Sequence, residues 1–251
     1  MRKFLGLIPA RYGSSRLEGK PLADICGKPM IQHVYERAKV AIEDVYVATD
    51  DHRIVDAVES FGGKVIMTSA NHENGTSRCL EALELVNKQT SAGFNAVVNI
   101  QGDEPLLEPS TLTELVNSFD DETNFATLVT PVVHQQDLEN DSEVFVTFDH
   151  NKNALYFSRA VIPTVRGKKR SEWMQHTTFY KHLGLYAYTD EALKLFSTLT
   201  PTTLEKLESL EQLRWVEHGY QIKVGITEHD SIPVDTKEDL ERVRNIMQEL
   251  V

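Results

Sequence analysis

Phe4-Leu5-Gly6-Leu7-Ile8-Pro9-Ala10-Arg11-Tyr12-Gly13-Ser14-Ser15-Arg16-Leu17-Glu18-Gly19-Lys20-Pro21 is the stretch on which the fold turns. Phe4 to Ile8 is short, apolar and closed by Pro9, which reads as a buried strand. Residues 10–20 follow it directly as a loop rich in Gly, Ser and Arg. Glycine lets backbone N–H groups come close to a phosphate. Arg11, Arg16 and Lys20 bring positive charge to the same loop: arginine can grip phosphate oxygens with two prongs, and lysine acts as a point charge. The loop is neither a Walker loop nor G-x-G-x-x-G, which disfavours a dehydrogenase of the Rossmann type. The plain alternative is a basic surface loop.

Outward from this stretch, strand and helix alternate. Pro29 opens a helix whose Ile31, Val34, Tyr35 and Ala38 make one apolar stripe. Val45 to Thr49 is a second strand, and Asp50-Asp51 can cap the next helix, with Ile54, Val55, Val58 and Phe61 inward. Gly62-Gly63 stops that helix. Lys64 to Met67 is a third strand, Thr76 to Asn87 a helix and Ala96 to Gln101 a fourth strand. Such alternation predicts an α/β fold, Rossmann-like, with a mostly parallel sheet and helices on both faces. Ligands in such sheets bind beyond the carboxyl ends of the strands, so the loops at residues 9–20, 50–51, 68–78 and 101–105 should share one rim.

From about Asn140 the pattern becomes β-rich, with Val144 to Phe148, Ala154 to Ser158 and Leu183 to Tyr188 as antiparallel additions. Lys168-Lys169-Arg170 reads as a solvated loop. Thr203 to Gly219 reads as one helix with Leu204, Leu207, Leu210 and Leu213 inward, and Ile222 to Ile226 as a late strand. Thr236-Lys237-Glu238-Asp239 is a capping-box pattern before a closing helix with Leu240, Val243, Met247 and Leu250 as its stripe. We expect one domain over residues 1–251, with residues 140–200 or so as a small β-rich insertion.

Composition narrows the function. The 251 residues, 41% of them hydrophobic, suffice for a real core. No apolar run approaches the roughly 20 residues of a membrane span, and Met1-Arg2-Lys3 leads into only a brief apolar segment, unlike a signal peptide. Two cysteines, Cys26 and Cys79, lack metal-ligand spacing, which suits a reduced, cytoplasmic protein. The net charge of −12 argues against a nucleic-acid partner. The charge is uneven, however. Residues 1–40 carry eight Lys/Arg against three acids, a net +5, leaving −17 for the rest. A basic patch on an acidic protein suggests a small anionic ligand, with a solvated face as the alternative.

Two further segments carry oxygen ligands. In Asn99-Ile100-Gln101-Gly102-Asp103-Glu104-Pro105, Asp103 sits just past a strand, where a metal could bridge phosphates; Mg²⁺ takes one or two carboxylates and fills its shell with waters and phosphate oxygens. Gly-Asp is also a common turn pair. In Ile232-Pro233-Val234-Asp235-Thr236, Asp235 could be a second carboxylate on that metal or could simply help cap the following helix.

Together PARYGSSRLEGKP, ATDD, NGTSR, NIQGDEP, ALYFSRAVIP, KHLGLYAY, LESLEQLRWVEHG and VDTKEDLERV occur in order across nearly the whole chain. This series strongly resembles the 3-deoxy-manno-octulosonate (Kdo) cytidylyltransferases, the CMP-Kdo synthetases. The first loop is shared by several sugar nucleotidyltransferases, whereas SLEQLR and VDT-x-EDLE are more specific. The resemblance implies a nucleotide-diphospho-sugar-transferase-like fold, with the β-rich insertion as a lobe for sugar binding and dimerisation. It implies CTP and a small sugar acid as substrates, Mg²⁺ as cofactor, a cytoplasmic homodimer and a place in lipopolysaccharide synthesis. Arg11 and Lys20 would hold the triphosphate, with Ala10 and the backbone at Gly13 and Ser14. Gly75, Thr76 and Arg78 would lie near cytosine and ribose, and Asp103 and Asp235 would bind the metal. Lys20, Arg11, Asp103 and Asp235 would carry the catalysis. Gln101, Arg159, His182, Tyr186, Glu211 and Gln212 would surround the sugar. On their own residue types, Glu211 and Gln212 read as exposed helix positions and His182 as a satisfied strand-end histidine.

Three positions depart from the family's pattern. Ser77 stands where the family has an acid, Phe145 where a lysine is expected, and Glu18 where the proline of R-L-P-G-K-P belongs. Losing a lysine lowers the repulsion a cationic substrate would meet, so the 8-amino analogue of Kdo becomes a candidate, alone or beside Kdo. The rival readings are a sialate-type cytidylyltransferase, which SLEQLR disfavours, and a non-catalytic nucleotide-binding protein, which the presence of Arg11, Lys20, Asp103 and Asp235 disfavours.

Overall fold

The structure is a computed structural model and describes residues 2–13, 16–72 and 74–249. Ser14 and Leu250 of the sequence reading lie outside the described residues. In chain order the elements are β1 (Phe4–Ala10), β2 (Asp24–Ile25), β3 (Lys28–Pro29), α1 (Met30–Ala41), β4 (Val45–Thr49), α2 (His52–Ser60), β5 (Val65–Met67), α3 (Gly75–Thr90), β6 (Ala96–Asn99) and α4 (Pro109–Asn117). There follow β7 (Phe125–Pro131), β8 (Phe145–Phe148), β9 (Ala154–Ser158), β10 (Tyr180–Thr189), α5 (Asp190–Thr198), α6 (Thr203–Glu208), α7 (Gln212–Glu217), β11 (Lys223–Ile226) and α8 (Lys237–Glu249). The pairings are parallel for β1–β4, β1–β6, β4–β5 and β7–β11, and antiparallel for β8–β10 and β8–β9, while β2 and β3 form a separate antiparallel pair. The fold is therefore mixed, mostly parallel α/β.

The chain forms two compact units. The first comprises residues 1–113, 187–193 and 231–251, and the second residues 114–186 and 194–230.

In the first unit the strand order β6-β1-β4-β5 puts β1 at the centre. Leu5, Leu7 and Ile8 of β1 are fully buried, as a strand covered on both faces requires. The predicted stripe of α1 is buried throughout: Ile31, Val34, Tyr35 and Ala38, with Met30 ahead of it. Asp51 caps α2 by accepting from the backbone N–H of Arg53 at 2.9 Å. Of the four α2-region positions expected inward, Ile54 and Val58 are buried, whereas Val55 and Phe61 keep partial exposure.

One contact in this unit matters most for the site. Val234, Leu240 and Val243 join Ile25 and Met30 in a buried cluster, with Met247 packed against it. Burying a side chain of this size stabilises by about 1.5–3 kcal/mol, so the chain's last helix is held firmly against its first fifty residues. Asp239 closes the capping box by accepting from Thr236 N at 2.9 Å while Thr236 Oγ1 accepts from Asp239 N at 3.1 Å. The Arg244 guanidinium donates to the Asp24 carbonyl at 2.6 and 2.9 Å.

In the second unit β7 lies between β11 and β10. Phe145 and Phe179 are completely or almost completely buried with Val132, Leu138 and Val161. Lys181 stands opposite Phe145 in register and is only 5% exposed. Its Nζ is 2.6 Å from Asp230, 3.5 Å from Asp137 and 3.7 Å from Glu143. These carboxylates hold the ammonium above its ordinary pKa against the opposing effect of burial.

The single helix expected over residues 203–219 is two helices. Ser209 adopts a left-handed conformation, φ 53°, which ends α6 and redirects the chain into α7. Leu210 and Leu213 are buried as expected, but Leu207 is 77% exposed. A 3.6-residue period cannot be continued through a left-handed residue, and serine gives little warning of one.

Candidate active site

The loop after β1 is braced by its own backbone. Gly19 takes φ +67° and donates to the Tyr12 carbonyl at 3.0 Å, and a Cβ there would lie 3.1 Å from the Tyr12 ring. The Arg53 guanidinium covers that ring at 3.2 Å. The turn delivers Lys20 into a short 3₁₀ helix, Lys20–Leu22. At the end of β6, Gly102 passes close to β1: a Cβ there would meet the Pro9 carbonyl at 3.1 Å. That close approach puts Asp103 beside the loop. The Asp103 carbonyl in turn accepts from Val234 N at 2.9 Å, which places Asp235.

The result is one convergence. Lys20 Nζ lies 2.6 Å from Asp103 Oδ2 and 3.1 Å from Asp235 Oδ1, and Arg16 Nη2 is 3.0 Å from the same Asp235 oxygen. These residues, with Ala10, Arg11 and Gln101, line a cleft of about 340 Å³ whose opposite wall holds His72, Asn74, Gly75 and Arg78. Arg78 is 4% exposed; it donates to Thr68 Oγ1 at 2.7 Å and to Asp50 Oδ2 at 3.0 Å. Of the residues expected around a nucleotide, Ala10, Arg11, Lys20, Gly75, Arg78 and Asp103 therefore share one cavity, which lies within the first unit. Gly13 is exposed and is not part of its lining, and Thr76 is buried, its hydroxyl 3.4 Å from Tyr188 OH.

The cleft has the electrostatics of an anion site that also offers hard oxygen ligands. Arg11, Arg16 and Lys20 outnumber Asp103 and Asp235. Two carboxylates aimed at a single cation match what Mg²⁺ asks of a protein when phosphates and waters complete its shell. A closed, all-protein cage is absent: among the described residues no group of three or more His, Cys, Asp or Glu side chains is placed to hold a metal.

Gln101 lines that cleft, whereas the other residues expected around a sugar belong to the second unit. Tyr186 OH donates to Gln212 Oε1 at 3.2 Å, and the His182 and Tyr186 rings lie 5.3 Å apart. Glu211 is the N-cap residue of α7. Gln212 is 4% exposed, and its buried amide nitrogen has no hydrogen-bond partner among the described residues. Burying such a donor without a partner costs about 1–3 kcal/mol. Arg159 is exposed and is tied to Glu208, not to the His182–Tyr186–Gln212 group.

Residues 5–224 match the model of the cytidylyltransferase family. A 3-deoxy-manno-octulosonate cytidylyltransferase of Parabacteroides distasonis is 51% identical over 96% of this chain and 97% of its own. The chain belongs to the cytidylyltransferase family. An 8-amino-3,8-dideoxy-manno-octulosonate cytidylyltransferase of Shewanella pealeana is 50% identical over 93% of this chain and 94% of its own. Among solved structures, CMP:2-keto-3-deoxy-manno-octonic acid synthetase complexed with CTP superposes with a TM-score of 0.89 at 41% identity, covering 99% of this chain and all of that one. The chain is accordingly a nucleotidyltransferase, and its α/β fold is the family's.

The positions that depart from the family pattern can be placed. In this cytidylyltransferase Ser77 Oγ is 3.1 Å from His72 Nδ1, and the other ring nitrogen of His72 contacts the Glu81 carboxylate. Glu81 follows Ser77 by one helical turn, so a carboxylate reaches this wall from a neighbouring position on the same helix face. Phe145 fills the core of the second unit and is fully buried. Glu18 is exposed in the loop's turn.

His182 has a defined tautomer. The Thr127 hydroxyl donates to the Leu185 carbonyl at 2.8 Å, so its oxygen accepts from His182 Nε2–H at 2.8 Å and leaves Nδ1 as an acceptor. The ring keeps a partly accessible edge, but Phe157 and Tyr186 enclose it. Burial pushes its pKa from 6.5 down to about 3, so the ring is neutral at neutral pH. Burial, together with the Glu211 carboxylate, raises the Tyr186 phenol, which stays protonated and able to donate. Sequence reasoning missed His72, an isolated histidine with no motif, and gave no role to Asn74, although it opens the NGTSR segment. It also missed Asp50 as the partner of Arg78, although Asp50 lay on the predicted rim.

Proposed function

We propose that this enzyme transfers the CMP group of CTP to a 3-deoxy-octulosonic acid and releases pyrophosphate. The observation that carries the proposal is the meeting of Lys20, Arg16, Asp103 and Asp235 in one cleft beside Arg11. The substrate class rests on the printed activities of relatives that cover nearly the whole chain. In the reaction the sugar's 2-hydroxyl oxygen bonds to the α-phosphorus, the bond from that phosphorus to the β-phosphate oxygen breaks, and the hydroxyl proton passes to solvent. Such a step depends on positioning and on neutralising charge as it builds on the leaving pyrophosphate.

Lys20, Arg11 and Arg16 would bind the triphosphate, with Arg78 and Gly75 in the wall that meets the nucleoside. Asp103 and Asp235 would hold Mg²⁺, which would supply further charge neutralisation when bound. Gln101, Arg159, His182, Tyr186, Glu211 and Gln212 are the residues that the family resemblance assigns to the sugar acid. The Gln212 amide would gain an acceptor, neutral His182 would accept a hydrogen bond from a sugar hydroxyl through Nδ1, and Arg159 would meet the carboxylate. We further propose a cytoplasmic homodimer serving lipopolysaccharide synthesis, with residues 140–200 or so as the dimerisation and sugar-binding lobe. The family resemblance supports these points, and no helix among the described residues is long and apolar enough to cross a membrane.

The sugar is Kdo or its 8-amino analogue. Identity of 51% and 50% to relatives of the two kinds does not separate them; the absence of a lysine at Phe145 speaks for use of the amino sugar, alone or beside Kdo. Pyrophosphate release with CTP, Mg²⁺ and each sugar, with Asp103→Ala as control, tests the reading. Release with at least one sugar, lost in the control, is expected. A clear preference for Kdo in kcat/KM would sink the amino-sugar reading, and no release with either sugar would sink the substrate class.

A further inference from the structure

Glu208 and Leu207 invert the usual order of a surface helix. Leu207 is 77% exposed, while the charged Glu208 turns toward the end of β9. Its carboxylate accepts from the Ser158 hydroxyl at 2.8 Å through Oε1 and from the Arg159 backbone N–H at 2.9 Å through Oε2. Ser158 is 3% exposed, so one end of this contact is fixed in the core. The Glu208 main-chain carbonyl accepts from Arg159 Nε at 2.9 Å, and the Ser142 carbonyl accepts from Nη1 at 3.5 Å. The left-handed Ser209 immediately follows and supplies the break that lets residue 208 face inward.

The division of partners is informative. The Glu208 carboxylate grips the main chain and two hydroxyls, those of Ser158 and, at 3.4 Å, Tyr156, and forms no ion pair with the guanidinium. The guanidinium is aimed by two neutral carbonyl oxygens and keeps its full charge. A carboxylate on the guanidinium would have cancelled the charge an anionic ligand requires, whereas carbonyl oxygens orient it without doing so.

We propose that Glu208 is a positioning residue that presents Arg159, undiminished in charge, to the acidic group of the sugar substrate. The inference rests on the reading above that Arg159 meets that group. A glutamine at 208 can accept from the Arg159 N–H only by turning its amide nitrogen, a donor, on Ser158 and Tyr156, whose hydroxyls donate to the carboxylate of Glu208, so the present set of contacts cannot be kept intact.

The experiment is a double-mutant cycle of Glu208→Gln and Arg159→Ala, reading KM for the sugar acid, KM for CTP, kcat and thermal stability. Each single variant should raise the sugar KM about tenfold, as expected for losing or misplacing one charge-assisted contact, and leave the CTP KM within about twofold. The double variant should be no worse than Arg159→Ala alone, because Glu208 acts through Arg159. Glu208→Asp, which keeps both acceptors on a shorter stem, should fall between wild type and Glu208→Gln, and it carries the test if the glutamine variant does not fold. A normal sugar KM in both Glu208 variants alongside a raised one in Arg159→Ala overturns the proposal and leaves the Arg159 reading standing. Additive effects in the double variant likewise overturn it. An unchanged sugar KM in Arg159→Ala removes the reading itself and the proposal with it.

Discussion

Acid should loosen this enzyme through His182. The folded state holds the imidazole neutral, with its pKa lowered from 6.5 to about 3, while the unfolded chain binds a proton with the ordinary affinity. Between those two values the unfolded state carries more protons, so stability falls as pH falls. The contribution is intact above about pH 7 and declines through the window from about 6.5 to about 3. Linkage gives a loss of up to about 2 kcal/mol between pH 7.5 and pH 5, the accessible edge of the ring making this an upper figure. His182→Gln keeps an N–H donor for Thr127 and cannot be charged. Urea unfolding of both proteins at about pH 7.5, 6 and 5 separates His182 from the other eight histidines: the wild type should lose more stability than the variant, by up to that amount at the lowest pH. Parallel curves for the two proteins would refute the argument, because they would mean that His182 accepts its proton in place. The same neutrality should appear in catalysis as a sugar KM that is flat from pH 7 to 8.

Other perturbations follow from the same geometry. Lys20→Met should lower kcat/KM for CTP about 10²- to 10³-fold in a pyrophosphate-release assay, and Lys20→Arg should not restore it, since a planar fork does not replace a point charge set between two carboxylates. Arg78→Lys gives up one of the two buried contacts to Thr68 and Asp50 and should cost about 1–3 kcal/mol of stability, read by urea or thermal melting, with a raised CTP KM. Phe145→Ala empties a fully buried ring site and should cost about 3–5 kcal/mol in the same measurements.

The first unit was largely legible because its helices and strands announce themselves by period: every residue of the α1 stripe is buried where the spacing put it. The loop after β1 was legible by chemistry, since glycine and three basic residues have few other uses there. The convergence of Lys20, Asp103 and Asp235 was expected only through the family resemblance. Lys20 reaches partners 83 and 215 positions away, and what brings Asp235 to it is the packing of Val234, Leu240 and Val243 on Ile25 and Met30, which no local pattern encodes. In the second unit the period misled at Leu207, because a single left-handed serine turned one expected helix into two. Lys181 would be placed on the surface by residue type; it is buried because Asp137, Glu143 and Asp230 gather around it from three separate segments. Glu208 stood in the LESLEQLRWVEHG segment without a role for a related reason, since a charged residue in a helix is solvated by default and only the turn at Ser209 directs it inward.

The account's central claim is transfer of a cytidylyl group to a 3-deoxy-octulosonic acid, and ³¹P NMR of the reaction mixture tests it most directly. With CTP, Mg²⁺, enzyme and Kdo or 8-amino-Kdo, the triphosphate resonances should give way to pyrophosphate and a single phosphodiester signal, and the Asp103→Ala enzyme should leave CTP intact. Persistence of CTP with both sugars, or CMP appearing as a free monoester without a sugar phosphodiester, would contradict it.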